Sequence, residues 1–142
     1  MNLYEAGLSA DGDTLAIGSQ TIRLPAEVLA AHPQLADHRN GQLVVGLRPE
    51  HLSAAGPEDA ATIDGDVDLV EALGSELLVH FSIDARRVQP DQTLEEEEAL
   101  VASGEGVARV DPRSKVRMGT RQRFAVEVEA LHFFDRESGV RI

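Results

Sequence analysis

By residue type, five histidines (His32, His38, His51, His80 and His132) are the groups best suited to bind a metal ion or move a proton near neutral pH. A zinc hydrolase built on a helix would show His-Glu-x-x-His, which puts two imidazoles on one face, and none of the five is followed by glutamate. The absence of cysteine removes thiolate nucleophiles, thiolate metal sites and disulfides together. No serine lies in a Gly-x-Ser-x-Gly elbow. A phosphate-gripping loop needs Gly-Lys-Ser/Thr, so that backbone amides and one ammonium converge on the phosphates. The single lysine, Lys115, instead follows Ser114. Gly104-Glu105-Gly106 leads into a β-type run rather than a helix and reads as a turn. Acidic pairs two residues apart, Asp64/Asp66 and Glu127/Glu129, share a strand face, and a solvated face produces the same spacing. No catalytic, metal or cofactor-binding residue is therefore expected in this chain.

The elements that would have to position any site are mostly strands. Thr14–Ile17 and Gln20–Leu24 are short β-type runs parted by Gly18-Ser19, a two-residue turn with glycine first. Pro25 can open a helix, and the residues after it supply one or two turns before Pro33. Leu43–Leu47 is rich in β-branched residues, and Arg48-Pro49-Glu50-His51 ends it because proline cannot continue a central ladder. Ser53–Thr62 reads as an exposed loop. Ile63–Leu73 and Glu76–Ile83 form the clearest hairpin, with Leu77, Val79, Phe81 and Ile83 alternating against Leu78, His80 and Ser82. Thr93-Leu94-Glu95-Glu96 has the form of a capping box for a short helix over Leu94–Ser103. Strands resume at Val107–Val110 and Arg123–Glu129, and Leu131–Phe134 and Val140–Ile142 close the chain. Many short strands with frequent turns give an all-β, mainly antiparallel barrel or sandwich with short helical excursions.

Composition sets the outer limits. The chain has 142 residues, 42% of them hydrophobic, enough for one domain with a real core. It holds no apolar run long enough to span a bilayer. Met1–Asp13 lacks the basic flank and apolar stretch of a secretory signal, so a cytoplasmic location is the default expectation. A net charge of −12 opposes general affinity for nucleic acid. Stacking on single-stranded bases would need free aromatics, and Phe81 and Phe124 fall on apolar alternating faces that suit a core. The charges are segregated: Glu50–Glu105 holds fifteen acidic residues against Arg86 and Arg87, whereas Arg109–Arg123 holds six basic residues against Asp111. These are solvated faces, or else the two segments pair, within a chain or across a dimer.

Three segments resemble one family. Val45-Gly-Leu-Arg-Pro-Glu-His-Leu52 is similar to the strand-and-turn signature in the C-terminal domain of ATP-binding subunits of sugar-type ABC importers, of which the maltose and glycerol-phosphate subunits are familiar members. Val70-Glu-Ala-Leu-Gly-Ser-Glu76 is similar to that family's next hairpin, and Leu131–Ile142 resembles its closing segment. Met1-Asn2-Leu3 resembles the point where the ATPase domain hands over.

The resemblance implies an OB-like, TOBE-type β-barrel: a single regulatory domain over 1–142, with a small N-terminal β block (about 1–40) and a barrel block (about 41–142). It implies a non-catalytic regulatory and dimerisation role, with ATP and Mg²⁺ held by an ATPase domain outside this sequence. The implied partners are a second copy of the subunit, its own ATPase domain, a cytoplasmic regulator and, indirectly, the membrane permease, at the inner face of the cell membrane. Nucleic acid is not among them. Carried over by position, Arg48, Pro49, Glu50 and His51 match the signature turn, Gly74 the hairpin glycine, and His132, Phe134, Asp135 and Gly139 the closing segment. Structural roles are expected for these: Pro49 and Gly74 set turns, Phe134 fills core, Arg48 pairs with Glu50, and His51 and His132 make structural hydrogen bonds. The stretch 84–123 departs from the family pattern as an insertion, and its Arg113, Lys115 and Arg117 are candidates for a charged contact with a dimer partner or the ATPase domain. From another functional class, the alternative is a β-barrel that senses a small ligand, an oxyanion or a sugar.

Overall fold

Residues 1–88 and 104–142 are described by a computed structural model. They form two curled five-stranded sheets, antiparallel in every pairing, that pack into a barrel-like OB fold. In chain order the strands are β1 (Asn2–Leu8), β2 (Thr14–Ile17), β3 (Gln20–Arg23), β4 (Gln42–Leu47), β5 (Leu52–Ala54), β6 (Thr62–Ala72), β7 (Leu77–Ser82), β8 (Glu105–Val110), β9 (Arg121–Val126) and β10 (His132–Phe134). One sheet has the order β10-β4-β1-β2-β3, so β4 and β10 complete the sheet that β1–β3 begin. The other has the order β5-β9-β6-β7-β8, and its two edges, β5 and β8, curl toward each other.

Period-two alternation explains the core. Leu15, Ile17, Ile22, Leu43, Val45 and Phe133 from the first sheet meet Ile63, Val67, Val79, Phe81, Ala108 and Phe124 from the second in one continuous cluster. The rings of Phe81 and Phe124 lie 4.8 Å apart at its centre. Helix α1 (Ala26–Ala31), with Pro25 as its N-cap, and the 3-10 turn Pro33–His38 plug one end through Val28 and Leu35. At six residues α1 depends on that packing.

The expected β6–β7 hairpin is present, with Gly74 at its tip in the left-handed region (φ 84°) and a register shift between Val67 and Leu69 that bends β6. Four expectations need correction. Gly106 lies inside β8 rather than in a turn, because a Cβ there would come 2.4 Å from the Tyr4 hydroxyl and 2.6 Å from the Phe81 ring. Leu52–Ala54, partly assigned to a loop, pairs with β9 as β5. Strand β9 stops at Val126, and Val128 is buried from a 3-10 turn over Val128–Ala130 instead. Of Val140–Ile142, Arg141 makes only an isolated bridge to Phe134. The helix expected over Leu94–Ser103 and its glutamate run lie outside the described residues.

Side chains stitch the two sheets. In an antiparallel ladder every second residue turns its N–H and C=O away from the neighbouring strand. On β8 the outward set includes Glu105 and Val107. The Asn2 amide donates to the Val107 carbonyl at 2.8 Å and accepts from the Val107 N–H at 2.9 Å, and the Tyr4 hydroxyl donates to the Glu105 carbonyl at 2.7 Å. Gln20 does the same on β6 beyond the end of β7: its amide donates to the Asp64 carbonyl at 2.8 Å and accepts from the Asp64 N–H at 2.5 Å. Burial pushes the Tyr4 phenol up, so it remains a donor at any ordinary pH.

Candidate functional site

Strand β4 delivers the signature turn. Pro49 fixes φ at the start of a 3-10 turn (Pro49–His51), whose His51 N–H donates to the Arg48 carbonyl at 3.0 Å and whose Leu52 N–H donates to the Pro49 carbonyl. On its other side β4 pairs with β10, placing Gly46 opposite His132 and so bringing Arg48 alongside the imidazole. The result is a cleft of about 400 Å³ lined by Arg48, Glu50, His51 and His132. His32 after α1, Glu129 in the last 3-10 turn and Arg141 near the C-terminus line it too. Four of the nine carried-over positions thus converge from sequence positions 84 residues apart.

The expected Arg48–Glu50 pair does not form. Arg48 Nε instead donates to His132 Nε2 at 3.2 Å. An imidazole that accepts at Nε2 is neutral, and burial first, then the positive charges of Arg141 and Arg48, hold its pKa below the ordinary value. The Glu50 carboxyl is held below the usual range mainly by its own main-chain N–H. His32 packs edge-on against Phe133, with centroids 5.0 Å apart, and its Nδ1 lies 3.3 Å from the Ile142 main-chain oxygen. His51 Nδ1 is buried, with no hydrogen-bond partner among the described residues.

The remaining expected residues lie elsewhere. Phe134 is half-buried, and its neighbour Phe133 fills the core, because Phe133 is the one residue of β10 that faces inward. Asp135 organises the turn after β10: its carboxylate accepts from the Glu137 and Ser138 N–H groups at 3.0 and 2.8 Å and from His38 Nε2 at 3.0 Å. Gly139 completes that turn at φ 70°. Gly74 sits at the far hairpin tip in open space. Arg113, Lys115 and Arg117 are exposed on the β8–β9 loop, where Arg113 pairs with Asp111 at 3.1 Å. The acidic and basic segments do pair within the chain, through Arg109–Glu76, Arg121–Asp66 and Arg123–Asp64 at 2.9–3.3 Å.

Sequence reasoning weighed His32 only as one of five histidines and Glu129 only as half of an acidic pair, and it gave Arg141 no role of its own. No local spacing marks them, since the fold alone brings them to the cleft. Among the described residues no cluster of three His, Asp or Glu side chains is placed to hold a metal ion. None of the described helices is long and apolar enough to cross a membrane.

Residues 1–52 match the family model of the MalK OB fold domain, and residues 45–108 match that of the TOBE domain. The chain belongs to the MalK-type OB/TOBE domain family. The two matches overlap at 45–52, the strand and turn that build the cleft wall. The TOBE match also runs through β6, β7 and most of β8, and so enters the 84–123 stretch. Relatives align over the full length of this OB/TOBE domain. It is 34% identical to the trehalose import ATP-binding protein SugC of Mycobacterium tuberculosis, covering 38% of that protein. It is 35% identical to the sn-glycerol-3-phosphate import ATP-binding protein UgpC of Chromobacterium violaceum, covering 32%. It is 31% identical to the UgpC of Cupriavidus necator, covering 34%. The chain spans about a third of the length of these curated relatives.

Proposed function

We propose that this OB/TOBE chain is the non-catalytic regulatory and dimerisation domain of the ATP-binding subunit of an ABC importer for a carbohydrate-type solute. The match of the whole chain to about a third of several import ATP-binding proteins carries this reading, and the two family models overlap at residues 45–52, where the fold builds one wall of the cleft. ATP and Mg²⁺ then belong to the ATPase domain of the same subunit. The partners are that domain, a second copy of the subunit, a cytoplasmic regulator and, through the ATPase, the permease at the inner face of the membrane. The exposed β8–β9 loop supplies the charged contact: Lys115 and Arg117 have no ion-pair partner among the described residues, and a dimer partner or the ATPase domain could provide one.

Two measurements test this. The reading frame upstream of Met1 is expected to encode a Gly-x-x-x-x-Gly-Lys-Ser/Thr loop and an ABC signature, and an unrelated upstream domain overturns the parentage. Sedimentation velocity of the subunit carrying Arg113→Glu, Lys115→Glu and Arg117→Glu is expected to show weakened self-association. Unchanged sedimentation removes the loop from the contact.

A further inference from the structure

We infer that His38 is a pH-sensitive latch, fastening the 3-10 turn Pro33–His38 to the turn after β10 while its ring carries two protons and slackening when it loses one. The two sides of this contact lie 97 residues apart in sequence. Each ring nitrogen of His38 meets an atom that can only accept. Nδ1 lies 3.2 Å from the Gln34 carbonyl oxygen, and Nε2 lies 3.0 Å from Asp135 Oδ2. A neutral imidazole has one N–H and cannot donate to both, so the geometry is complete only for the imidazolium.

The surroundings favour that state. The charges that bear on the ring are those of Asp135 and Asp37, both negative. The adjacent cations turn elsewhere: Arg39 lies against Gly12 in the β1–β2 turn, and Arg136 pairs with Glu5 on β1 at 3.1 Å. Asp135 is the fixed half of the latch. Its Oδ1 accepts from the Glu137 and Ser138 N–H groups and from the Ser138 hydroxyl at 2.8–3.0 Å, which leaves Oδ2 to His38. The carboxylate therefore stays charged and oriented throughout the range in which an imidazole titrates. His38 is the half that changes. On losing a proton the ring keeps an N–H for one acceptor and turns a lone pair toward the other, so one contact is lost along with the ionic attraction. Leu35 remains buried in the core, so the turn loosens without leaving the barrel. His80 is the contrasting case. Its ring meets one acceptor among the described residues, Glu71, and β6 and β7 are already joined by their ladder, so a change in its charge releases no element. The latch rests on contacts within this domain and stands or falls apart from the parentage proposed above.

The test is nuclear magnetic resonance of the full chain between about pH 5 and about pH 9, reading the His38 ring nitrogens, the Gln34 carbonyl carbon and the Asp135 carboxyl carbon. The ring is expected to carry protons on both nitrogens at the acid end and to lose one with a midpoint above that of an ordinary histidine. The Gln34 and Asp135 carbons are expected to shift with the same midpoint. Exchange protection of the Gly41 amide, which donates to the His38 carbonyl, is expected to fall through it. In Asp135→Asn the His38 midpoint is expected to drop, and in His38→Gln the Gly41 protection is expected to lose its pH dependence. Thermal melts check that both variants fold, and either one suffices if the other does not. A Gln34 carbon that fails to follow the ring overturns the latch. So does an unchanged midpoint in Asp135→Asn, or an unchanged pH dependence of Gly41 protection in His38→Gln.

Discussion

At the seam between the sheets Asn2, Tyr4 and Gln20 meet the outward-facing backbone of β8 and β6, and each of these side chains finds its partner. At the cleft His51 Nδ1 is buried with no hydrogen-bond partner among the described residues, and Arg48 and Arg141 line the cleft with Glu50 and Glu129 without an ion pair among the described residues. The physical chemistry of the groups is similar in the two places, so the difference lies in what they are arranged to do. Groups that satisfy one another hold the fold together. A polar nitrogen buried without such a partner, as at His51, contributes nothing to that hold and costs stability instead.

The sharpest way to break that contrast is Asn2→Leu. It leaves the partly buried Val107 N–H and C=O unpaired beneath a leucine side chain, and it is expected to cost about 2–4 kcal/mol in urea unfolding, from two unsatisfied groups. A loss under about 1 kcal/mol would remove the seam as a structural device. Tyr4→Phe deletes one hydroxyl and should cost about 1 kcal/mol by the same measurement. His51→Leu, on the cleft side, should change stability by less than about 0.5 kcal/mol or raise it, since no bond is lost and a buried unpaired nitrogen disappears. A large destabilisation would place His51 with the structural groups.

The His38–Asp135 pair gives a pH-dependent comparison. The hydrogen bond that His38 donates to Asp135 raises the His38 pKa above its ordinary value, so the histidine's contribution is complete below that ordinary value and is lost as pH rises through the folded one. The Ser138 amide and His38 hold the Asp135 carboxyl well below the usual range, so its contribution is present above about pH 4 and is lost as pH falls further. His38→Gln should therefore narrow the stability gap to the parent chain between about pH 5.5 and about pH 8.5, with the larger deficit at the lower value. An equal deficit at both values would mean that the pair carries no charge. Arg123→Gln on the sheet surface is the smallest expected change, at about 0.5 kcal/mol or less, because its partner Asp64 is shared with water.

What could be read in the sequence follows from how each residue earns its burial. The β6–β7 hairpin was legible because Val79 and Phe81 alternate with polar residues and glycine marks the tip. Strand β1 was not. Its inward face is Asn2, Tyr4, Ala6 and Leu8, half of it polar, while Leu3 lies on the other face, so hydrophobic alternation fails. Gly106 looked like a turn because nothing local shows that Tyr4 and Phe81 occupy the space of its Cβ. The adjacent Phe133 and Phe134 could not be ranked by type, and strand phase decides which is buried. The Arg48–His51 turn was visible as a motif. Its neighbours His32, Glu129 and Arg141 arrive only through the β4–β10 pairing and the packing of α1.

The Asn2 clamp has a further consequence for the solution behaviour of the chain. Strand β8 is the end of its sheet, and a free strand edge is a template on which another chain can pair. By laying a side-chain amide where a neighbouring backbone would dock, the second residue denies that edge to strangers. Tyr4 covers the Glu105 carbonyl of the same edge, so protection against cross-strand polymerisation is shared by two side chains of β1, and replacing both would uncover the outward backbone of β8 while leaving most of the core's apolar residues in place.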